Sequence, residues 1–291
     1  MTERSGAWLG VRSLWRSVGE VGGGYVRALV DGRVAWTAGN SVLSPLLKYV
    51  SPGTLGELRA VSAGEIVHQP ERLAEAVWPQ RIYDVARMTV DFAGVWETLL
   101  QRTREGRGLY PPTFAADRAV CLMVYLACRI ERPHVVLETG VADGVSSYVV
   151  LRALDENGLG VLHSVDVRSD VGRLVRAGDR ERWRLHILHG PRYWALRRAF
   201  AEIPRGGVFV HDSNHSYAWQ RAELTRASSW LLPGGLAIVD DADASRALAE
   251  WSRSMDIRPH IGLAGTRLFG VARVTSQVGY RGRRRRPLVG G

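Results

Sequence analysis

Between residues 134 and 241 the chain repeats one pattern five times: a short apolar run followed by an amphipathic stretch. The runs are HVVLE at 134–138, VLHSVD at 161–166, RLHILH at 184–189, GVFVHD at 207–212 and LAIVDD at 236–241. Amphipathic segments lie near 145–156, 170–178, 192–202, 217–231 and 243–255. Strands alternating with helices of this length predict a parallel sheet joined by right-handed crossovers. Asn157-Gly158 and Pro233-Gly234-Gly235 mark turns between a helix and the next strand. The stretch IRPHIGLAGTRLFGVARV predicts two more strands, turning at Ala264-Gly265. The expectation is an α/β, Rossmann-like sheet, mostly parallel, with an antiparallel last strand.

The first third reads differently. Breakers at 22–24, 44–45, 51–53 and 78–79 interrupt helical patterning, and no strand–helix alternation is visible. Residues 1–112 are expected to form a mainly helical cap or substrate region, with Tyr110-Pro111-Pro112 as a stiff hinge. The sheet domain then spans 113–275, opening with a helix near 114–130. Trp8, Val11, Trp15 and Val18 would share one helical face, with Arg12 and Arg16 elsewhere; this suits either a membrane surface or packing on the protein itself. Residues 276–291 read as a basic, disordered tail. Its five arginines account for half of the formal net charge of +10. No apolar run approaches the roughly 20 residues that cross a bilayer. Cys121 and Cys128 read as small buried hydrophobes, so a cytoplasmic location is expected.

Chemistry is expected where the strands end, because ligands of open α/β sheets bind outside the carboxyl ends. After the first strand comes LETGVADGVSS at 137–147: an acid, a glycine-containing turn, then two serines opening a helix. Glycine lets backbone approach a ligand, and a helix start offers free N–H groups. Asp166 ends the second strand, where an acid accepts hydrogen bonds from ribose hydroxyls. Together these suggest an adenosine-containing ligand. Glu138 beside the loop disfavours a pyrophosphate and favours a cationic ligand.

Three motifs in order carry a resemblance: Glu138-Thr139-Gly140-Val141-Ala142-Asp143-Gly144-Val145-Ser146-Ser147, then Asp212-Ser213-Asn214-His215-Ser216-Tyr217, then Pro233-Gly234-Gly235 with Asp240-Asp241. Residues 115–272 resemble class I S-adenosylmethionine-dependent methyltransferases. The likeness is to a metal-dependent subgroup that includes macrolide-sugar O-methyltransferases and cephalosporin hydroxylase-like proteins. It implies S-adenosyl-L-methionine held by Glu138, Thr139, Gly140, Val141, Gly144, Ser146, Ser147, Asp166, His189 and Gly190. It also implies Mg²⁺, or another hard divalent cation, on Asp212, Asp240 and Asp241, and His215 as general base. The usual D-G-D-H of the subgroup stands here as Asp212-Ser213-Asn214-His215, and Asp240 replaces its commoner His or Glu.

Residue chemistry points the same way. Acids from neighbouring strands about 4.8 Å apart can converge, and crowded carboxylates need protons or a cation. Oxygen-only ligands suit a hard ion, while histidine titrates near neutrality. Local roles stay open beside this: Asp241 or Asp243 as a helix cap, Asp212 in an Asx turn. The expected reaction is methyl transfer to a hydroxyl of a small molecule such as a sugar or natural product. A homo-oligomer is compatible with the sequence. The alternative is a non-catalytic or nucleic-acid-binding protein on the same scaffold, motivated by the arginine tail; acids beside the site argue against a nucleic-acid partner. An iron site with His211 and His215 near Asp212 is a third reading, but it leaves the adenosine-type loop without a purpose.

Overall fold

The structure, a computed structural model, describes residues 54–106, 110–111, 114–190 and 192–275. The N-terminal amphipathic stretch and the arginine tail lie outside these residues. Three helices come first: α1 (Thr54–Val61), α2 (Pro70–Val77) and α3 (Ile82–Glu105). Pro70 sits in the first turn of α2, where its missing N–H costs nothing. Next comes α4 (Arg118–Glu131), capped by the Asp117 carboxylate accepting from Ala119 N at 2.8 Å. Every residue from Ala119 to Cys128 is buried. A helix apolar all round belongs inside a protein, and α4 packs against α3 and α5 as well as against strands. Both cysteines are free and buried within it.

The alternating region follows as β1 (Val135–Thr139), α5 (Val145–Asn157), β2 (Val161–Asp166), β3 (Trp183–Ile187), α6 (Arg192–Glu202), β4 (Gly206–His211), α7 (Tyr217–Trp230), β5 (Leu231–Val239), α8 (Ala247–Met255), β6 (His260–Ala264) and β7 (Arg267–Arg273). The sheet order is β3-β2-β1-β4-β5-β7-β6. Strands β1 to β5 are parallel, and β7 runs antiparallel to β5 and β6. From β1 the chain winds outward through β2 and β3, then returns to β4 on the other side of β1. Right-handed crossovers in opposite directions place α5 on one face and α7 on the other. This is the expected Rossmann-like sheet.

Two expectations fail in detail. The helix expected at 170–178 is an irregular segment ending in a single 3₁₀ turn, Ala177–Asp179. Gly172 takes φ +73° and lies under the Trp183 ring, and a Cβ there would come within 2.3 Å of it. Gly172 N and Leu174 N bond to Ala142 O and Asp143 O, so this backbone is tied to the loop after β1. The Pro233-Gly234-Gly235 turn does not separate α7 from β5 either. It lies inside β5, at a register shift between the Gly206–Leu231 and Val208–Leu236 pairs.

The early helices pack into the same core as the sheet. Phe92 on α3 is fully buried and its ring lies 5.5 Å from that of Tyr125 on α4. Arg102 on α3 donates to the Asp179 carboxylate and to Leu174 O. Val67, between α1 and α2, bridges to Gly262 of β6 through Val67 N–Ile261 O and Leu263 N–Val67 O bonds. Among the described residues no helix is long and apolar enough to cross a membrane. Phe92→Ala is expected to cost about 3–5 kcal/mol in chemical denaturation. Tyr83→Ala on the same helix, at a side chain 93% exposed, should stay within about 0.5 kcal/mol.

Candidate active site

Strands β1 and β4 are neighbours whose connections leave in opposite directions, so a crevice opens at their carboxyl ends. Thr139 and His211 stand side by side in the register there. Two buried glutamates hold the two sides of this edge. Glu138 accepts from Ser146 Oγ and Ser147 Oγ, both at 2.6 Å, and from Ser164 Oγ at 2.7 Å. Trp183 Nε1 donates in turn to Ser164 Oγ. One carboxylate thus ties β1, α5, β2 and β3 together. Burial pushes it above the usual carboxylate range, and the three hydroxyls pull it back. Ser146 and Ser147, expected with Glu138 as ligand contacts, spend their hydroxyls on its carboxylate and so shape the loop. Glu138 therefore presents no exposed negative charge to a ligand.

The second glutamate, Glu223 on α7, had no sequence signal; it sits in an ordinary helical stretch. It accepts from Thr139 Oγ1 at 2.7 Å, His211 Nδ1 at 2.5 Å and Ser213 Oγ at 2.9 Å. It joins β1, β4 and the turn beyond β4. Thr139 is therefore also engaged with the protein. His211, fully buried, keeps Nε2 without a hydrogen-bond partner, and its ring meets that of His215 edge-on at 5.4 Å.

Between these clamps runs the loop after β1. Gly140, Ala142 and Gly144 take φ of +85°, +48° and +90°. At Gly140 a Cβ would lie 1.9 Å from the carbonyl oxygen of Asp212, so only glycine lets the two loops touch. Val141 N donates to Asp166 Oδ2 at 2.9 Å, and Val167 N and Arg168 N donate to Oδ1. Burial raises the Asp166 carboxyl and these amides oppose the rise. Oδ1 takes two of these amides and Oδ2 one. The end of the expected hinge reaches the same place: Tyr110 N donates to Asp143 Oδ2, and its ring packs under Arg168. His189 and Gly190 lie exposed just beyond β3, which ends two residues earlier than expected.

Across the crevice β4 and β5 deliver the acids. Asp240 and Asp241 are almost fully buried, and the Oδ1 atom of each lacks a hydrogen-bond partner. Asp241 adopts φ +47°, a conformation that costs a non-glycine residue about 1–2 kcal/mol. Its Oδ2 accepts from Arg267 Nη1 at 2.9 Å and lies 3.6 Å from His215 Nε2. Asp241 thus lies beside His215, and Arg267 is a further member that the sequence did not reveal. Asp243 accepts from Leu268 N, across to β7, and does not cap α8 in the way considered from sequence. Burial, with Asp240, Glu138 and Asp241 adding to it, raises the half-buried Asp212 well above the usual range. Burial and Asp241 raise Asp240 to about 6, against the pull of Arg267.

Among the described residues no three His, Cys, Asp or Glu side chains converge as a self-contained metal site. The expected trio of Asp212, Asp240 and Asp241 is therefore not a closed cage. The two orphaned carboxylate oxygens still match the habit of Mg²⁺, which takes one or two protein carboxylates and fills its shell with water and substrate oxygens.

A family model described as a methyltransferase domain matches residues 137–242. This span holds the clamped loop, Asp166, the turn beyond β4 and the paired aspartates. The matched span is about a third of the chain, and over it the chain is similar to methyltransferase domains. Several solved structures resemble it. The O-methyltransferase TomG from Streptomyces achromogenes, involved in tomaymycin synthesis and solved with SAM, is 19% identical; 62% of this chain and 90% of that chain are covered, with a TM-score of 0.48. An O-methyltransferase from Bacillus cereus in complex with SAH is 18% identical, covering 62% and 91%, with a TM-score of 0.45. A methyltransferase from Geobacter sulfurreducens is 18% identical, covering 66% and 96%, with a TM-score of 0.47. No curated protein matches the chain.

The buried acids of this sheet edge make two stability predictions. Glu138→Ala leaves three buried hydroxyls without their acceptor and should cost at least about 3 kcal/mol in urea denaturation. Asp240, raised to about 6, binds its proton more tightly folded than unfolded. Its contribution is complete below the ordinary carboxylate range and is lost as pH rises through its folded value. Without divalent ions, the melting temperature should fall between about pH 4 and pH 6.5. Asp240→Asn should remove part of that fall; an unchanged slope in the variant would show that Asp240 titrates normally.

Proposed function

We propose that the protein transfers a methyl group from S-adenosyl-L-methionine to a hydroxyl of a small molecule. The observation that carries this reading is the meeting, at one sheet edge, of an adenosine-type loop and acid with a buried acid–histidine group. The loop 140–144 and Asp166 stand on β1 and β2, and Asp240, Asp241 and His215 follow from β5 and β4. The methyltransferase-domain match over this span supports it.

The donor supplies an electrophilic methyl on a sulfonium centre. In this reading the loop 140–144 holds the donor's amino-acid end and Asp166 accepts from its ribose. Thr139, Val141, His189 and Gly190 border the donor site. His215, oriented by Asp241 Oδ2, takes the acceptor's proton as the carbon–oxygen bond forms. Asp212, Asp240 and the free Oδ1 of Asp241 would hold a hard dication such as Mg²⁺ when an acceptor is present. Such an ion supplies Lewis acidity that makes the hydroxyl easier to ionise. Much of the rate gain comes from alignment of donor, acceptor and base.

The acceptor class proposed is a hydroxylated small molecule such as a sugar or natural product. The cytoplasm is the proposed compartment, in keeping with two free cysteines. A nucleic-acid role is disfavoured because the crevice concentrates carboxylates.

Calorimetry with S-adenosylhomocysteine is expected to show binding, and Asp166→Ala to weaken it by about tenfold or more. No binding by the wild-type protein would remove the donor and the reaction with it. In methyl transfer to a panel of hydroxylated acceptors, His215→Ala should lower kcat by about 10²–10⁴ while leaving donor affinity unchanged. A fall in donor affinity with kcat intact would instead assign His215 to binding.

A further inference from the structure

The crevice contains three carboxylates and one guanidinium. Arg267 is the first residue of β7, just after the turn at Gly265. That hairpin end is fastened to the turn beyond β5 by Ala242 N–Leu268 O at 2.7 Å and Leu268 N–Asp243 Oδ1 at 3.2 Å. Arg267 is thereby held beside the acids by the two backbone bonds of its neighbour Leu268. Its Nη1 bonds Asp241 Oδ2 at 2.9 Å, and its side chain is largely withdrawn from water. Burial disfavours its charge, but Asp240, Asp241 and Asp212 more than compensate. The guanidinium is thus bonded to Asp241, and Asp240 and Asp212 also favour its charge.

One guanidinium bonded to Asp241 leaves two buried carboxylate oxygens, on Asp240 and Asp241, still unpartnered. The crevice therefore attracts a dication and repels it at the same time. Resting on the donor and dication reading above, we propose that Arg267 is a built-in counter-cation that competes with the divalent ion. It keeps the resting site folded without metal, and it weakens dication binding until an acceptor's oxygens help to complete the shell. A metal-free crystal or a chelated enzyme would then be a natural state of the protein and not a damaged one.

Removing a charge about 4 Å from a cation at a protein surface changes its affinity by more than about tenfold. The test is calorimetric titration of Mg²⁺ or Mn²⁺ into protein saturated with S-adenosylhomocysteine, free of acceptor. The comparison is wild type against Arg267→Met, with Arg267→Gln as a second neutral variant should the first fold poorly. Both variants should bind the ion at least about tenfold more tightly than wild type, and Arg267→Lys should bind it as weakly as wild type. Adding Asp240→Asn to Arg267→Met should abolish the gain. Dication binding that is equal in wild type and the neutral variants overturns the inference while leaving the dication reading intact. If S-adenosylhomocysteine binds but no protein takes up the ion, the dication step falls together with the inference. If S-adenosylhomocysteine fails to bind, the donor reading falls as well.

Discussion

A buried carboxylate must be met by donors, by positive charge or by a proton. At this sheet edge Glu138 shows the first solution in full. Three serine hydroxyls from two elements close on it, and a tryptophan from β3 steadies one of them. The loop at 140–144 has no regular structure to hold its shape. It is fixed because the strand before it and the helix after it are joined through this one side chain. Glu223 does the same on the other side of the β1–β4 division, collecting Thr139, His211 and Ser213. The crevice lies between two such fastenings.

Against that background the unmet acids stand apart. Glu138 and Glu223 have their donors, whereas Asp240 and Asp241 each keep one oxygen without any. A chain that satisfies two buried glutamates so completely leaves these two aspartates unsatisfied at the end of the neighbouring strand. Burial without donors is costly in a way that only function or a partner justifies. The difference separates acids that build the frame from acids left with an oxygen unmet. It is drawn by the hydrogen bonds, since all four residues are equally hidden from solvent.

The sheet was legible because strands buried on both faces must be apolar along their whole length, and five such runs stand out. The loop at 140–144 and the position of Asp166 were legible for a related reason: strand ends are fixed once the runs are found. The segment 170–178 misled because its apolar spacing suits a helix, while its conformation is set by Gly172 meeting the Trp183 ring, a contact far along the chain. Glu138 was legible as a buried-edge acid but not as a fastening, because its three serines come from separate places. Glu223 and Arg267 carry no motif. Each matters only because the fold brings it to residues at least ten positions away.

The bridge from Val67 to β6 has a consequence for how copies of the chain meet. A strand at the margin of a sheet offers unpaired amides and carbonyls to any passing extended segment. At the β6 margin Val67 already occupies those groups through its bonds to Ile261 and Leu263. The opposite margin, β3, is only five residues long and carries the exposed Arg184. One rim is covered and the other is short and cationic, so lateral sheet growth into aggregates is opposed at both ends.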